Sequence, residues 1–120
     1  MKSYTNLEQS KKLAEILPIE SADMFLAMNG TLPVMSKYID DGLVTADETA
    51  IPCWSLTALL DVLPKFIGDY GKCLYYDIAG YYCGYMDDGD FMLTIEETKA
   101  DNPVDACYEM ILKLYELKML

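Results

Sequence analysis

Cys53 is the residue best placed to do chemistry. It sits two residues before the first turn of an expected helix, where the dipole can lower a thiol pKa. A thiolate nucleophile also needs a base, and the usual base is absent: the 120 residues contain no His. All nine basic residues are Lys, so there is no Arg to grip a phosphate or carboxylate bidentately. Cys is among the most buried residue types, so Cys53 reads as a structural thiol. The acidic clusters are no richer. Asp87-Asp88-Gly89-Asp90 is too short for a calcium loop, which needs ligands at alternate positions over about twelve residues and a closing Glu. It reads as a hairpin tip. Asp40-Asp41 and Asp47-Glu48 read as solvated surface.

The tyrosines stand out more. Ten occur, with Tyr75, Tyr76, Tyr81, Tyr82 and Tyr85 inside one eleven-residue stretch. Neighbours in a strand point to opposite faces, so these rings cannot all enter one core. Tyr favours strands, and it also favours interfaces, where its ring buries area at low entropic cost.

Bulk properties narrow the field. A chain of this length buries roughly 65% of its unfolded surface and needs no staples. At 52% hydrophobic and 24% charged it is globular. Nine basic residues against twenty acidic ones leave a net charge of −11, which opposes direct nucleic-acid binding. Cys53, Cys73, Cys83 and Cys107 form no C-x-x-C, so neither a zinc ribbon nor a thioredoxin motif is present. The N-terminus opens into a charged helix, with no signal peptide and no apolar run of membrane length. The expectation is a cytoplasmic protein with reduced, buried thiols and no cofactor, metal or membrane.

The elements that position these residues follow from local grammar. The central one is Ile51–Pro64. Ser55 caps a helix, and Trp54 and Leu59 occupy the two positions of a hydrophobic staple. Leu56, Leu59, Leu60 and Leu63 follow at helical spacing, and Pro64 stops the helix. Thr5-Asn6-Leu7-Glu8 predicts a capping box with Thr5 as cap, opening a helix with Leu7, Leu13, Ala14, Ile16 and Leu17 inward and ending at Pro18. Residues 21–35 fit either a helix or a hairpin. Asn29-Gly30 favours the hairpin, Asp23–Met28 with Thr31–Met35, and Pro33 places the second strand at an edge. Ser36–Asp41 fits one helical turn, and 43–50 an irregular acidic connection.

A β-meander follows the 65–71 loop: Lys72–Ile78, Tyr81–Met86 and Phe91–Glu96. The Asp88-Gly89 turn predicts Met86 opposite Phe91, Gly84 opposite Leu93 and Tyr82 opposite Ile95, all facing the core. That leaves Tyr81, Tyr85 and Met92 as an exposed binding face. The last helix is capped by Asn102, with Pro103 at N1 and Asp105 at N3. Its buried stripe is Val104, Cys107, Met110, Ile111, Leu114 and Leu117.

Leu7–Pro18 with Glu20–Met24, Ile51–Leu56 and Asn102–Cys107 together resemble a group of small uncharacterised proteins of gut anaerobic bacteria and their phages and mobile elements. The resemblance covers about half the chain and implies a mobile-element accessory role. It implies no activity and no catalytic residue.

The reading is a single α+β domain over 1–120, a small antiparallel sheet of three to five strands against three helices, in the order α-ββ-α-βββ-α. The expected function is a non-enzymatic acidic module that binds a protein partner or itself through the Tyr/Met face. The alternatives are a small-ligand-binding protein or a His-independent enzyme, and an acidic decoy of a nucleic-acid-binding protein.

Overall fold

The computed structural model describes residues 2–27, 32–35, 51–87 and 90–120; for 27, 32–35 and 90–96 it describes the backbone alone. The expected turn at Ser36–Asp41, the connection 43–50 and the turn residues Asn29-Gly30 and Asp88-Gly89 lie outside the described residues. The protein is α+β: α1 Leu7–Ile16, β1 Met24–Ala27, β2 Leu32–Met35, β3 Ile51–Cys53, α2 Leu56–Val62, β4 Phe66–Ile67, β5 Tyr70–Asp77, β6 Gly80–Asp87, β7 Asp90–Ala100 and α3 Pro103–Glu116, with a 3₁₀ turn at Ile19–Ser21. The described strands make two antiparallel sheets, ordered β2-β1-β3 and β4-β5-β6-β7. Two compact units result, Ser3–Ala58 and Met1–Lys2 with Leu59–Leu120.

The first unit is built on a polar knot around Trp54. The indole is fully buried, and its Nε1–H donates to Ser21 Oγ at 2.9 Å. Its backbone N–H donates to Thr5 Oγ1 at 3.1 Å. Ser55 caps α2 as expected, its Oγ accepting from the Ala58 amide at 3.2 Å. That hydroxyl in turn donates to the Asp23 carboxylate, which also accepts from the Ser55 amide at 3.0 Å. Charge-assisted bonds of this kind are stronger than neutral ones, so Asp23 fixes the β3–α2 corner.

The cap of α1 is one residue later than predicted. Asn6 accepts from the Gln9 amide at 2.8 Å, and Gln9 Oε1 accepts from the Asn6 amide at 3.1 Å. Thr5 is instead buried, sharing a hydrogen bond with Ser10 Oγ at 2.8 Å. This pair takes an inward place that the apolar pattern had given to Ala14, which is exposed. A hydroxyl can be buried cheaply once it is bonded, and polarity alone misreads it. The hairpin 24–35 forms as read, Met24 pairing with Met35 and Ala27 with Leu32. β2, which carries Pro33, is an edge strand. Ile51–Cys53 adds a third strand on β1.

In the second unit the meander is longer than predicted, and two residues of the expected 65–71 loop form β4. Asp87 pairs with Asp90, as a two-residue Asp88-Gly89 connection demands. The register then slips. Met86 lies opposite Thr94 rather than Phe91, Gly84 opposite Glu97 rather than Leu93, and Tyr82 opposite Lys99 rather than Ile95. The irregularity lies at Tyr85–Asp87, and a bulge there feeds extra β7 residues against β6. The turn at 88–89 sets the first pair only, and the bulge resets the rest.

Helix α3 is capped by Asn102, whose Oδ1 accepts from the Asp105 amide at 2.9 Å, with Pro103 at N1. Lys2 pairs with Asp105 at 2.7 Å. Val104, Cys107, Met110, Ile111 and Leu114 are fully buried as predicted, joined by Ala106; Leu117 is 48% exposed because the helix ends at Glu116.

Candidate functional site

The four-stranded sheet has two unlike faces, and the expected inner and outer sets do not separate on them: Met86, expected inward, is buried as read, but Tyr85, expected outward, is buried as well. One face carries Lys72 opposite Tyr85, Leu74 opposite Cys83, and Tyr76 opposite Tyr81. Helix α3 covers its centre: Thr98 on β7 donates from Oγ1 to Ala106 O at 2.7 Å. Cys83 and Tyr85 are fully buried there. Tyr85, expected on a binding face, is therefore core. Its hydroxyl donates to Pro64 O at 2.6 Å, which satisfies the one polar atom the ring carries. Beside it the Lys72 ammonium donates to Leu60 O and, at 3.3 Å, to Leu63 O at the end of α2. A cation there complements the negative end of the helix. Tyr81 is half-buried, and the Met92 side chain lies outside the described residues.

The opposite face carries a ladder. Lys99, Tyr82 and Tyr75 lie in one cross-strand row. The two rings stack, with centroids 4.9 Å apart and planes 9° apart. The Lys99 ammonium sits 6.0 Å from the Tyr82 centroid, a cation–π distance. In the next row Glu97, Gly84 and Cys73 are aligned. Gly84 presents no side chain, and Glu97 reaches across β6 to accept the Tyr75 hydroxyl. Burial and the bond to Glu97 raise the Tyr75 phenol well above its ordinary value, so it is a donor at neutral pH and not a base.

Both faces converge at the β5–β6 connection. Tyr76 is 75% exposed and Ile78 wholly so, and the Tyr76 and Tyr81 rings lie 5.6 Å apart. The Ala79 amide donates to Asp77 Oδ1 at 2.7 Å, which fixes the turn. Gly80 then takes φ +148°, and an added Cβ would come within 2.9 Å of Ala100 O, so glycine is required there. The result is a hairpin end of defined turn geometry presenting two tyrosines and an isoleucine beside an Asp.

Two other features offer less chemistry. A cleft of about 680 Å3 lies between α2, β4 and β5, lined in part by Asp61, Pro64, Lys65, Phe66 and Lys72. One of its two cations, Lys72, is already engaged by helix carbonyls, and Lys65 lies 5.9 Å from the Phe66 centroid. The cysteines carry no disulfide. Cys53 Sγ–H donates to Thr5 O at 3.4 Å, and burial holds its thiol above the ordinary range. Cys83 donates a hydrogen bond to Cys107; that bond and burial push the Cys83 thiol far up. Cys73 is only half-buried, with burial and the Glu97 charge raising its thiol. No group of three metal-ligating side chains occurs among the described residues. No described helix is long and apolar enough to cross a membrane.

With a neutral-pH thiol reagent, Cys73 reacts first and more slowly than a free model thiol, while Cys53, Cys83 and Cys107 stay protected until unfolding. Labelling followed by peptide mapping checks this, and early modification of Cys53 contradicts it. Tyr75 and Tyr85 are held above the ordinary phenol value of 10.0, chiefly by burial. A raised folded-state pKa gives stability that is complete below the unfolded value and lost as pH climbs through the folded one. Melting temperature should therefore fall progressively above pH 10, with these two rings the last to ionise in a tyrosinate absorbance titration.

Compared with protein-family models, curated proteins and solved structures, the chain matches none.

Proposed function

We propose that the protein is a non-enzymatic acidic interaction module that binds another protein through the end of the β5–β6 hairpin. The observation that carries this is the joint exposure of Tyr76 and Ile78, at 75% and 107%, on a turn fixed by Asp77 and Gly80. An exposed aromatic and aliphatic cluster on a backbone turn of fixed geometry is suited to anchor an interface, since the ring buries large area with few torsions to order. The net charge of −11 opposes pairing with a second copy and favours a basic partner surface. The sequence-based site of Tyr81, Tyr85 and Met92 thus moves along the strand: Tyr81 stays in it, Tyr85 leaves it for the core, and Tyr76 and Ile78 enter.

The test places a photo-crosslinking amino acid at position 76 and illuminates the cells that produce the protein. The expected result is a discrete adduct with one other protein, lost in Ile78→Asp while the melting temperature is unchanged. No adduct, or one indifferent to Ile78→Asp, overturns the reading.

A further inference from the structure

Among the described residues the edge of β5 is open for most of its length. β4 has two residues and pairs only with Tyr70 and Gly71. The Lys72 amide still reaches back, donating to Lys65 O at 3.0 Å, so it points to the β4 side. Backbone groups alternate in direction along a strand, so those of Leu74 and Tyr76 point the same way, past the end of β4. Among the described residues no strand lies beyond them. An unpaired edge is a template for another strand, and natural proteins normally blunt such edges with Lys, Pro or a bulge. Over 73–77 this edge, Cys-Leu-Tyr-Tyr-Asp, holds none of these.

The side chains along it are equally unfinished. The ladder Lys99–Tyr82–Tyr75 ends on a Tyr75 ring with no further cross-strand neighbour among the described residues. The Glu97 carboxylate is bonded to the Tyr75 hydroxyl, and the exposed Asp77 carboxylate closes the strand. The next member of the row would meet a π face with anionic charge beside it. A cationic side chain fits that place, as Lys99 fits the other end.

We propose that β5 receives an extended segment of a partner protein by strand addition, pairing with Leu74 and Tyr76 and placing a Lys or Arg against Tyr75 and Glu97. This deepens, and rests on, the reading of the hairpin as a protein-binding site. The occupant is a basic segment and not a second copy, because each copy carries −11. Main-chain bonds would supply the affinity, and the alternate side chains the specificity.

The probe is a capped octapeptide of alternating Lys and Val, with a Glu/Val octapeptide and an N-methylated Lys/Val octapeptide as controls. N-methylation of the amides facing β5 keeps charge and side chains but removes the donors. Amide hydrogen exchange and peptide affinity are read together. Binding of the Lys/Val peptide should slow exchange at Leu74 and Tyr76, with N-methylation weakening binding by about tenfold or more, the equivalent of one or two lost hydrogen bonds. Tyr76→Pro removes an amide that has no partner strand among the described residues and should weaken binding as much, whereas Tyr76→Ser keeps the amide and should weaken it less. Equal binding of the methylated peptide, or exchange that slows diffusely over acidic surface, overturns the proposal. Slowed exchange that tracks protein concentration without peptide overturns the choice of a basic partner in favour of a second copy. Photo-crosslinking with Tyr76→Pro beside Ile78→Asp separates the two levels, now with the crosslinker at position 81. An adduct lost in Ile78→Asp but kept in Tyr76→Pro leaves protein binding standing and removes strand addition.

Discussion

Trp54→Ala should destabilise the protein by about 3–5 kcal/mol, the range for truncating a large buried aromatic. Trp54 has no exposed surface, and its removal opens a cavity that a small unit cannot readily fill. It also leaves Ser21 Oγ without its indole donor, though that hydroxyl keeps its bond to Pro18 O at 2.6 Å. The transfer and cavity terms therefore dominate. Trp54→Phe should recover roughly half of the loss, since it restores much of the volume but no donor. Urea unfolding of the three proteins checks this. Stability of Trp54→Ala within 1 kcal/mol of the parent would show that the first unit is not organised around the indole.

Tyr85→Ala should cost about as much, 3–5 kcal/mol, and leave the mass in solution unchanged. The ring is fully buried under α3, and its hydroxyl donates to Pro64 O at 2.6 Å. Tyr85→Phe isolates that bond. It should cost about 1–2 kcal/mol, because the Pro64 carbonyl loses its donor away from bulk water. Tyr76→Ser, by contrast, should change stability by less than about 0.5 kcal/mol, since that ring is 75% exposed. The three variants separate core tyrosine from surface tyrosine within one strand pair. A Tyr85→Ala protein of full stability but altered association would restore the sheet face that alternation alone predicted.

The amino-acid sequence by itself determined the local elements whose signals are self-contained. The Ser55 and Asn102 caps, Pro103 at N1, the 24–35 hairpin and its edge strand follow from residues within a few positions of one another. So did the buried stripe of α3, because a 3.6-residue period with polar residues opposite admits one orientation. It also restricted the chemistry, since absent His and Arg need no fold to be absent. Near misses came where two neighbouring residues could play one part. Thr5 and Asn6 are both good caps, and only the burial of Thr5 against Ser10 and Trp54 assigned the role to Asn6.

Tertiary structure alone decided the faces of the sheet. In β6 the alternate sets Tyr82, Gly84, Met86 and Tyr81, Cys83, Tyr85 are about equally apolar, so period-two patterning cannot rank them. The deciding fact is where α3 lands, and that depends on contacts between residues far apart in sequence. The same limit applies to register. A two-residue connection fixed Asp87 against Asp90, but the bulge beyond it is a packing compromise that leaves no mark a few residues long. The open edge of β5 was hidden for a related reason: a strand's neighbours are set by where β4 stops, and nothing within Tyr70–Asp77 records that. Side-chain type and local spacing are inherited directly from the chain, whereas exposure is a property of the assembled fold.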